Sequence, residues 1–566
     1  MTLRQSARAG LAALVALGSA AVSRTADSPP TFARDIAPIL YSHCTTCHQP
    51  GAAGPFSLLT YDDARKRARL IAQVTRSRFM PPWLAEHGYG DFAGERRLTD
   101  TQIKMISGWA AAGAPEGDPR TAPQPPQYTE GWQLGPPDLV LTAPAAFTTP
   151  ATGPDVYWNF VFHTGMKSVR YLRAVDIRPG APGAVHHANL LIDRMASAHE
   201  HEASPGAGFP GMDLDIQRSP FDPEGQFLYW KPGNPRPHEE PSGFASRLNP
   251  SDELVLNVHM HPTGKPETVR PVIGLYFTDE PQTRFPLLVE LEADNALRIP
   301  AGARDFTVGD DFELPLDADL LAVYPHAHYL GRRMEAWAVL PNGTRQWLIR
   351  VPDWNPAWQG VFYYREPVSL PRGTVISMRW HYDNSAANPR NPNSPPKLVT
   401  GGNQITDEMA HFRLQLLPHG ARDQRRELDE AVLHHRLEKD PADFTSNFNL
   451  GAVQLSRLNP NAAVASLEAA VRAEPARADA RNMLGLALAA TGRNGDAIAQ
   501  YEASLRLHED GRARFNLANA QVKAGRLDDA AENYRRAMEA FPDDPLPKQR
   551  LEETLALRDQ RRNERR

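Results

Sequence analysis

The sequence predicts a multidomain protein: a small α-helical domain, two β-sandwich (jelly-roll-like) domains and a C-terminal α-helical repeat solenoid. Its 566 residues suffice for three to four domains at roughly 150 residues each. Short apolar runs between Pro, Gly, Asn and Asp clusters fill the middle of the chain, and a helical repeat fills its end. Apolar residues make up 41%, enough for several cores, and the net charge of -5 gives no reason to expect a nucleic-acid partner.

Residues 1–26 have the pattern of a secretory signal peptide. A short basic stretch precedes the apolar residues 9–23, and Ala20 and Ala26 offer small residues for cleavage. About 15 apolar residues are short for a membrane span, which favours cleavage over the alternative of a retained anchor. We therefore expect a periplasmic or secreted protein.

The next segment, residues 30–115, is predicted to form a compact helical domain. Helical apolar spacing occurs at 35–41, 61–74 and 99–111. Residues 116–136 are rich in proline and polar side chains and are predicted to be a linker.

The two cysteines of the chain form the motif Cys44-Thr-Thr-Cys47-His48. In C-x-x-C-H the two thiols can bond to the vinyl groups of one haem, and the adjacent imidazole can reach the iron. A zinc site would need further cysteines or histidines at suitable spacing, and a redox dithiol would need a βαβ context. The motif therefore predicts one covalent haem c.

Residues on both sides of this motif resemble the small class I cytochrome c domain. Phe32–Leu40 precede it, and Met80-Pro-Pro-Trp83 follow it. The resemblance implies that His48 is the proximal ligand and Met80 the distal ligand, with Met105 as the alternative. A haem with both axial positions filled carries electrons, and a thioether ligand raises its potential.

Residues 137–420 have the spacing of β-sandwich strands. About 280 residues suffice for two sandwiches, which we assign to 137–285 and 286–420. This region also holds 13 of the 19 histidines.

These histidines cluster. His259 and His261 are two residues apart, as are His326 and His328, and alternate strand residues lie about 7 Å apart on one face. The adjacent pair His186-His187 can share a metal only at a strand end or a bulge. Zinc suits a site of three histidines, whereas a thioether in the ligand set favours copper.

Four motifs in this order resemble the copper type II, ascorbate-dependent monooxygenases, which include peptidylglycine α-hydroxylating and dopamine β-monooxygenase. The motifs are Val185-His-His-Ala188, Leu256-Asn-Val-His259, His326-Ala-His328-Tyr-Leu-Gly331 and Thr406-Asp-Glu-Met409. The resemblance covers about half the chain.

The resemblance implies two coppers, one in each sandwich, on either side of a solvent gap. Its two ligand sets are His186, His187 and His259 for an electron-transfer copper, and His326, His328 and Met409 for a catalytic, oxygen-activating copper. His261 competes with His259 for the first set. The implied reaction inserts one oxygen atom of O2 into a C–H bond of an unknown small organic substrate.

This chain departs from the animal enzymes at several positions. It has no cysteine outside the haem motif, so the sandwiches must hold together without disulfides. Tyr324 stands where the peptidylglycine enzyme has an arginine that binds the substrate carboxylate. His411 and Arg413 stand where that enzyme has an asparagine and a tyrosine. Neither a peptide-glycine nor a catecholamine substrate is implied.

Residues 425–560 contain an internal helical repeat. Leu450-Gly451, Leu484-Gly485 and Leu517-Ala518 are spaced 34 and 33 residues apart. A period near 34 with Leu-Gly in the first helix resembles tetratricopeptide repeats and implies a protein partner.

Together these features predict an exported haem c and copper monooxygenase with a repeat appendage. A one-electron carrier in the same chain suggests that haem c feeds the copper sites, replacing or supplementing ascorbate, with a periplasmic redox protein as donor. The alternatives are a non-catalytic electron-transfer or copper-handling protein, and a scaffold in which the repeats do the work.

Overall fold

A computed structural model describes residues 29–50, 52, 54–128, 131–132, 134–212, 229–230, 237–420, 422–542 and 544–564. The predicted signal peptide lies outside them. Across these ranges, no helix has both the length and the apolar character that a membrane span requires. The described residues form two compact units, the first within residues 1–45, 57–80 and 98–126, and the second within the rest.

The described part of the first unit is helical. After a π-helical turn at Phe32–Ile36 its helices are α1 (Ala37–His43), α2 (Tyr61–Arg65), α3 (Ala68–Arg76) and α4 (Asp100–Ala111). Thr99 and Gln102 form a reciprocal capping box at the start of α4. Trp109 and Ile106 of α4 are fully buried.

The second unit contains the β-rich region that the sequence predicts, as two successive pairs of antiparallel sheets. Strands of the first pair are β1 (Leu139–Thr142), β2 (Phe147–Thr149), β3 (Val156–His163), β4 (Arg170–Arg178), β5 (Val185–Asp193), β6 (Phe209–Pro210), β7 (Tyr229–Trp230), β8 (Ser246–Leu248), β9 (Glu253–Met260), β10 (Glu267–Val269) and β11 (Val272–Thr278). The sheets have the orders β1-β11-β4-β8 and β6-β3-β9-β5-β7, and β2 pairs with β10. One apolar core unites them.

The second pair of sheets follows after Thr278. Its strands are β12 (Leu287–Glu292), β13 (Arg298–Ile299), β14 (Phe306–Glu313), β15 (Ala318–His326), β16 (Gly331–Val339), β17 (Arg345–Val351), β18 (Phe362–Leu370), β19 (Val375–Tyr382), β20 (Val399–Thr400) and β21 (His411–Pro418). The sheets have the orders β12-β21-β15-β18 and β14-β19-β16-β17, and β13 pairs with β20. They share a second core, in which Trp354 and Trp380 are fully buried.

Residues 81–97 pack on this second pair of sheets, although the sequence groups them with the helical domain. Phe92 pairs with Tyr364 of β18, and the Trp83 ring lies edge-on to Phe362 at 5.2 Å. Aromatic burial against β18 explains the difference, because apolar area removed from water stabilises a chain segment wherever it finds a partner.

The C-terminal helical region is confirmed. Its helices are α5 (Arg425–Lys439), α6 (Phe444–Ser456), α7 (Pro460–Ala473), α8 (Ala478–Ala490), α9 (Asn494–Leu507), α10 (Gly511–Lys523), α11 (Leu527–Ala540) and α12 (Pro545–Glu564). Leu450, Leu484 and Leu517 are all buried. A Cβ on Gly485 would lie 2.6 Å from the Tyr501 ring, so glycine here lets α8 and α9 pack closely.

Candidate metal centres

Three histidines converge where the start of β5 meets the end of β9 in the first pair of sheets: His186, His187 and His259. Their nearest ring nitrogens all lie within 4.8 Å of one another. The Nδ1 atom of His186 is 3.2 Å from Nδ1 of His259 and 3.3 Å from Nδ1 of His187. Two nitrogens bound at about 2.0 Å to one tetrahedral metal are about 3.3 Å apart, so the cluster has the dimensions of a metal site.

A β-bulge allows the adjacent pair to converge. His187 pairs directly with His259, whereas Val185 pairs with Met260, so His186 is the extra residue on β5. A bulge turns its residue out of the regular alternation.

Neighbouring groups orient the His259 ring. Its Nε2–H donates to the Asp155 carboxylate at 2.8 Å, which places the lone pair on Nδ1, the atom that faces the other histidines. The Tyr157 ring stacks on the other side, 4.3 Å away and almost parallel. Burial, with the nearby histidines, lowers the pKa of His187 and keeps it the neutral imidazole that a metal requires.

If the cluster binds copper as the sequence predicts, replacing Asp155 by asparagine should weaken that binding about 10- to 100-fold, because the amide no longer fixes the His259 tautomer. Competition against a chelator of known affinity measures the change. Asp176, a buried carboxylate of β4, supplies the control: Asp176→Asn should leave the affinity unchanged. Equal affinities in Asp155→Asn and wild type would contradict the role of Asp155.

His326 and His328 lie at the end of β15 and in the turn after it. Their ring centroids are 5.4 Å apart and the rings nearly perpendicular. The Nδ1–H of His326 donates to Oε1 of Gln359 at 2.8 Å, and the Nδ1–H of His328 donates to the Asp407 carbonyl at 3.0 Å. Both contacts place the lone pair on Nε2, the arrangement of a metal-binding imidazole.

The buried carboxylate of Glu408 connects this turn to Met409. One of its oxygens accepts from the backbone N–H of His328 at 2.7 Å and of Met409 at 3.2 Å. The other accepts from Leu330 N–H at 2.5 Å. Burial raises the pKa of Glu408 to about 8, against the lowering effect of these donors. The backbone of Met409 thus lies beside the turn that carries His328, and the Met409 side chain, the predicted thioether ligand, is buried.

His411 is part of a different cluster, although it lies across from His326 in the sheet. Its Nε2–H donates to Asp294 at 2.8 Å. Burial lowers its pKa, but Glu290, Asp294 and Glu292 outweigh burial and raise it overall. The carboxylates beside His411 thus raise its pKa, whereas burial lowers the pKa values of His326 and His328.

The two histidine clusters lie within electrostatic range of one another. A proton on His326 would act against a proton on His187 and so helps to lower the pKa of His187, after burial, His259 and His186. Tyr324 and Tyr329, on either side of the His326–His328 turn, contribute to raising the pKa of Tyr157 beside His259, after burial and Asp155.

The haem motif has one contact that fits a proximal ligand. Nδ1 of His48 lies 3.0 Å from the Phe56 carbonyl, to which a protonated Nδ1 donates, so that Nε2 carries the lone pair. Cys44 and Cys47 are half-buried thiols that form no disulfide. Met80 follows α3 and is half-buried, with its N–H bonded to the Val74 carbonyl. The assignment of Cys44, Cys47, His48 and Met80 to a haem stays a prediction from the sequence.

The C-terminal helices match the tetratricopeptide repeat family model at residues 448–511 and 491–545. This chain carries C-terminal tetratricopeptide repeats. It is similar to the crystal structure of MamA, 20% identical over 24% of this chain and 80% of that chain, with a TM-score of 0.23. It is also similar to TTC0263, a thermophilic TPR protein in Thermus thermophilus, 23% identical over 23% and 74% of the two chains, with a TM-score of 0.21. No curated protein matches the chain.

Sequence reasoning missed the residues that orient the ligands. Asp155 and Tyr157 begin β3, and Gln359 precedes β18, each far along the chain from the histidine that it contacts. No spacing rule connects such positions, because the fold alone brings them together. Glu408 was visible only as part of the motif that ends in Met409.

Proposed function

We propose that this protein is an exported haem c and copper-dependent monooxygenase that hydroxylates a C–H bond of a small organic substrate with O2. The convergence of three Nδ1 atoms at 3.2 and 3.3 Å carries the proposal, because three imidazole nitrogens at this spacing match the distances between the ligands of one metal ion. The resemblance of the four motifs to the copper monooxygenases supports the same conclusion.

Copper suits the donor atoms better than zinc does. The second set combines two imidazoles with the thioether of Met409, and a soft ligand favours reduced copper. Bound copper at this set would supply the binding and activation of O2 for insertion into a C–H bond. His186, His187 and His259 would hold the other copper, which supplies an electron.

The surrounding residues hold the ligands in place. Gln359 and the Asp407 carbonyl keep protons on Nδ1 of His326 and His328, so that both Nε2 atoms can bind metal. Asp155 keeps the proton of His259 on Nε2, so that Nδ1 is the atom of this ring that can bind metal. Tyr324 donates its O–H to the same Gln359 oxygen at 2.8 Å and further restrains that side chain.

In this function haem c, held by Cys44, Cys47, His48 and Met80, supplies the electrons. A periplasmic redox protein or an ascorbate-like reductant would reduce the haem, and each turnover consumes two electrons. Export agrees with the N-terminal sequence and with haem c attachment outside the cytoplasm. The repeats fit the binding of a protein partner.

Rapid mixing with O2 tests this function. Protein loaded with haem and copper is reduced, freed of excess reductant and mixed with O2, while haem absorbance and O2 are followed. We expect O2 uptake with haem oxidation at a matching rate, and neither process at that rate in copper-free protein. Absence of copper-dependent O2 uptake would contradict the enzyme and favour a copper-handling or electron-transfer protein. Haem that stays reduced while O2 disappears would contradict its role as donor.

A further inference from the structure

Two rows of polar and charged side chains cross one face of the sheet that carries His326. Side chains that pair directly across antiparallel strands point to the same face of the sheet. On β12, β21 and β15 this register forms two rows, Glu290–Arg413–Tyr324 and Glu292–His411–His326. The opposite face is apolar, with Leu287, Val289 and Leu291 buried.

Helix α5, which precedes the repeats, contributes a guanidinium to this face. Nη2 of Arg436 donates to the Glu290 carbonyl at 3.0 Å and lies 3.5 Å from its carboxylate. The same atom is 3.7 Å from the Glu292 carboxylate. Burial raises the pKa of Glu290, but Arg413, His411 and Arg436 outweigh it and lower the pKa overall. Arg436 is therefore integral to the cluster.

The cluster ends at the backbone next to Met409. His411 donates Nε2–H to Oδ2 of Asp294 at 2.8 Å, and Oδ1 of Asp294 accepts from the N–H of Ala410 at 2.6 Å. A second carboxylate, Glu292, lies 3.8 Å from the same His411 nitrogen. Asp294 therefore accepts this N–H, while Glu292 attracts it only electrostatically.

We propose that Arg436 is a positioning residue for the Met409 copper site, acting through Glu292, His411 and Asp294. That copper binds at this site rests on the proposed function, whereas the chain of contacts from Arg436 to Met409 rests on the structure. The Glu292 oxygen that lies 3.8 Å from His411 also lies 3.7 Å from Arg436, so the guanidinium offsets its pull on His411 and leaves the His411 N–H to Asp294. Asp294 then holds Ala410 and, one residue earlier, Met409.

The same helix has a second ion pair that supplies a matched control. Nε2 of His435 lies 2.8 Å from one Asp310 oxygen on β14, and Nζ of Lys439 lies 3.0 Å from the other. These contacts fasten α5 to the sheets through Asp310. Lys439 also donates to the Glu292 carbonyl, so the control is placed at His435, where a variant loosens α5 without acting on the Arg436–Glu292 contact.

The test compares Arg436→Gln, Arg436→Lys and His435→Gln in the full chain. The first readout is the 13C-methyl resonance of Met409 in metal-free protein, assigned with Met409→Leu. The second is the C–O stretch of carbon monoxide bound to copper(I) at that site, together with copper(I) affinity. We expect Arg436→Gln to move the Met409 resonance and the C–O stretch and to weaken binding about tenfold. Arg436→Lys should restore part of each change, and His435→Gln should cause none.

Three outcomes would overturn the inference: an unmoved Met409 resonance in Arg436→Gln, equal changes in His435→Gln, or no rescue by lysine. Equal changes of the Met409 resonance in His435→Gln and Arg436→Gln would mean that any loosening of α5 disturbs the site. The metal-free resonance keeps this test separate from the proposed function. Wild-type protein that binds no copper would contradict the function, and the resonance would still decide whether Arg436 positions Met409.

Discussion

Replacing Glu408 by alanine is expected to abolish copper binding at the His326–His328–Met409 site and to leave the other copper in place. Glu408 accepts backbone N–H groups from His328, Leu330 and Met409 in the interior. Each buried donor that loses its acceptor costs about 1 to 3 kcal/mol. The turn carrying His328 and the segment carrying Met409 would then shift apart, because only the bond from His328 Nδ1–H to the Asp407 carbonyl among the contacts described would still join them.

Copper content per chain and thermal unfolding measure the effect. We expect one copper instead of two and a melting temperature lowered for the second pair of sheets. Glu408→Gln, which retains one carbonyl oxygen as acceptor, should fall between alanine and wild type. Unchanged copper content in Glu408→Ala would show that the carboxylate does not hold this site together.

Asp193 supplies the matched control for Glu408. This buried carboxylate at the end of β5 accepts the backbone N–H groups of Met195, Ser197 and Ala198 at 3.0, 2.7 and 2.8 Å. Asp193→Ala should therefore destabilise the first pair of sheets to a similar extent. It should leave the Met409-dependent copper bound, which separates a general loss of stability from a specific loss of the site.

Replacing His187 by alanine is expected to remove the first copper and to stop electron delivery from haem to O2. His187 pairs with His259 across the strands and supplies one of the three converging nitrogens. Two imidazoles alone leave the metal under-coordinated, so binding should weaken by at least about 100-fold. Copper content and the rate of haem oxidation by O2 are the measurements.

His261 provides the control for this prediction, because sequence analysis left it as a competitor of His259. Its ring centroid lies 6.4 Å from that of His186, against 5.0 Å for His259, and it is outside the converging set. His261→Ala should retain the first copper. Loss of copper in His261→Ala with retention in His259→Ala would reverse the assignment.

The sequence predicts those parts of the protein in which local pattern determines structure. The period near 34 residues predicts the repeats, because the Leu-Gly pair at Leu450 and again at Leu484 lies at positions where the helices pack together. The β-rich middle follows from short strands between turn residues. The pairs His186-His187 and His326-x-His328 mark two clusters because the ligands of each pair are neighbours in the chain.

Long-range contacts account for what the sequence does not reveal. Asp155 reaches His259 over 104 residues, and His411 reaches Asp294 over 117. Residues 81–97 join the second pair of sheets through aromatic packing that no local periodicity encodes. The bulge at His186 depends on pairing with β9, so the strand alone could not show how adjacent histidines converge.

The haem and copper content of the purified protein tests the central claim most directly. Protein produced with haem c maturation and loaded with copper should contain one haem and two coppers per chain. Met409→Ala should lose one copper, and His259→Ala the other. One haem with zinc in place of copper, or with no copper that depends on these residues, would contradict the monooxygenase.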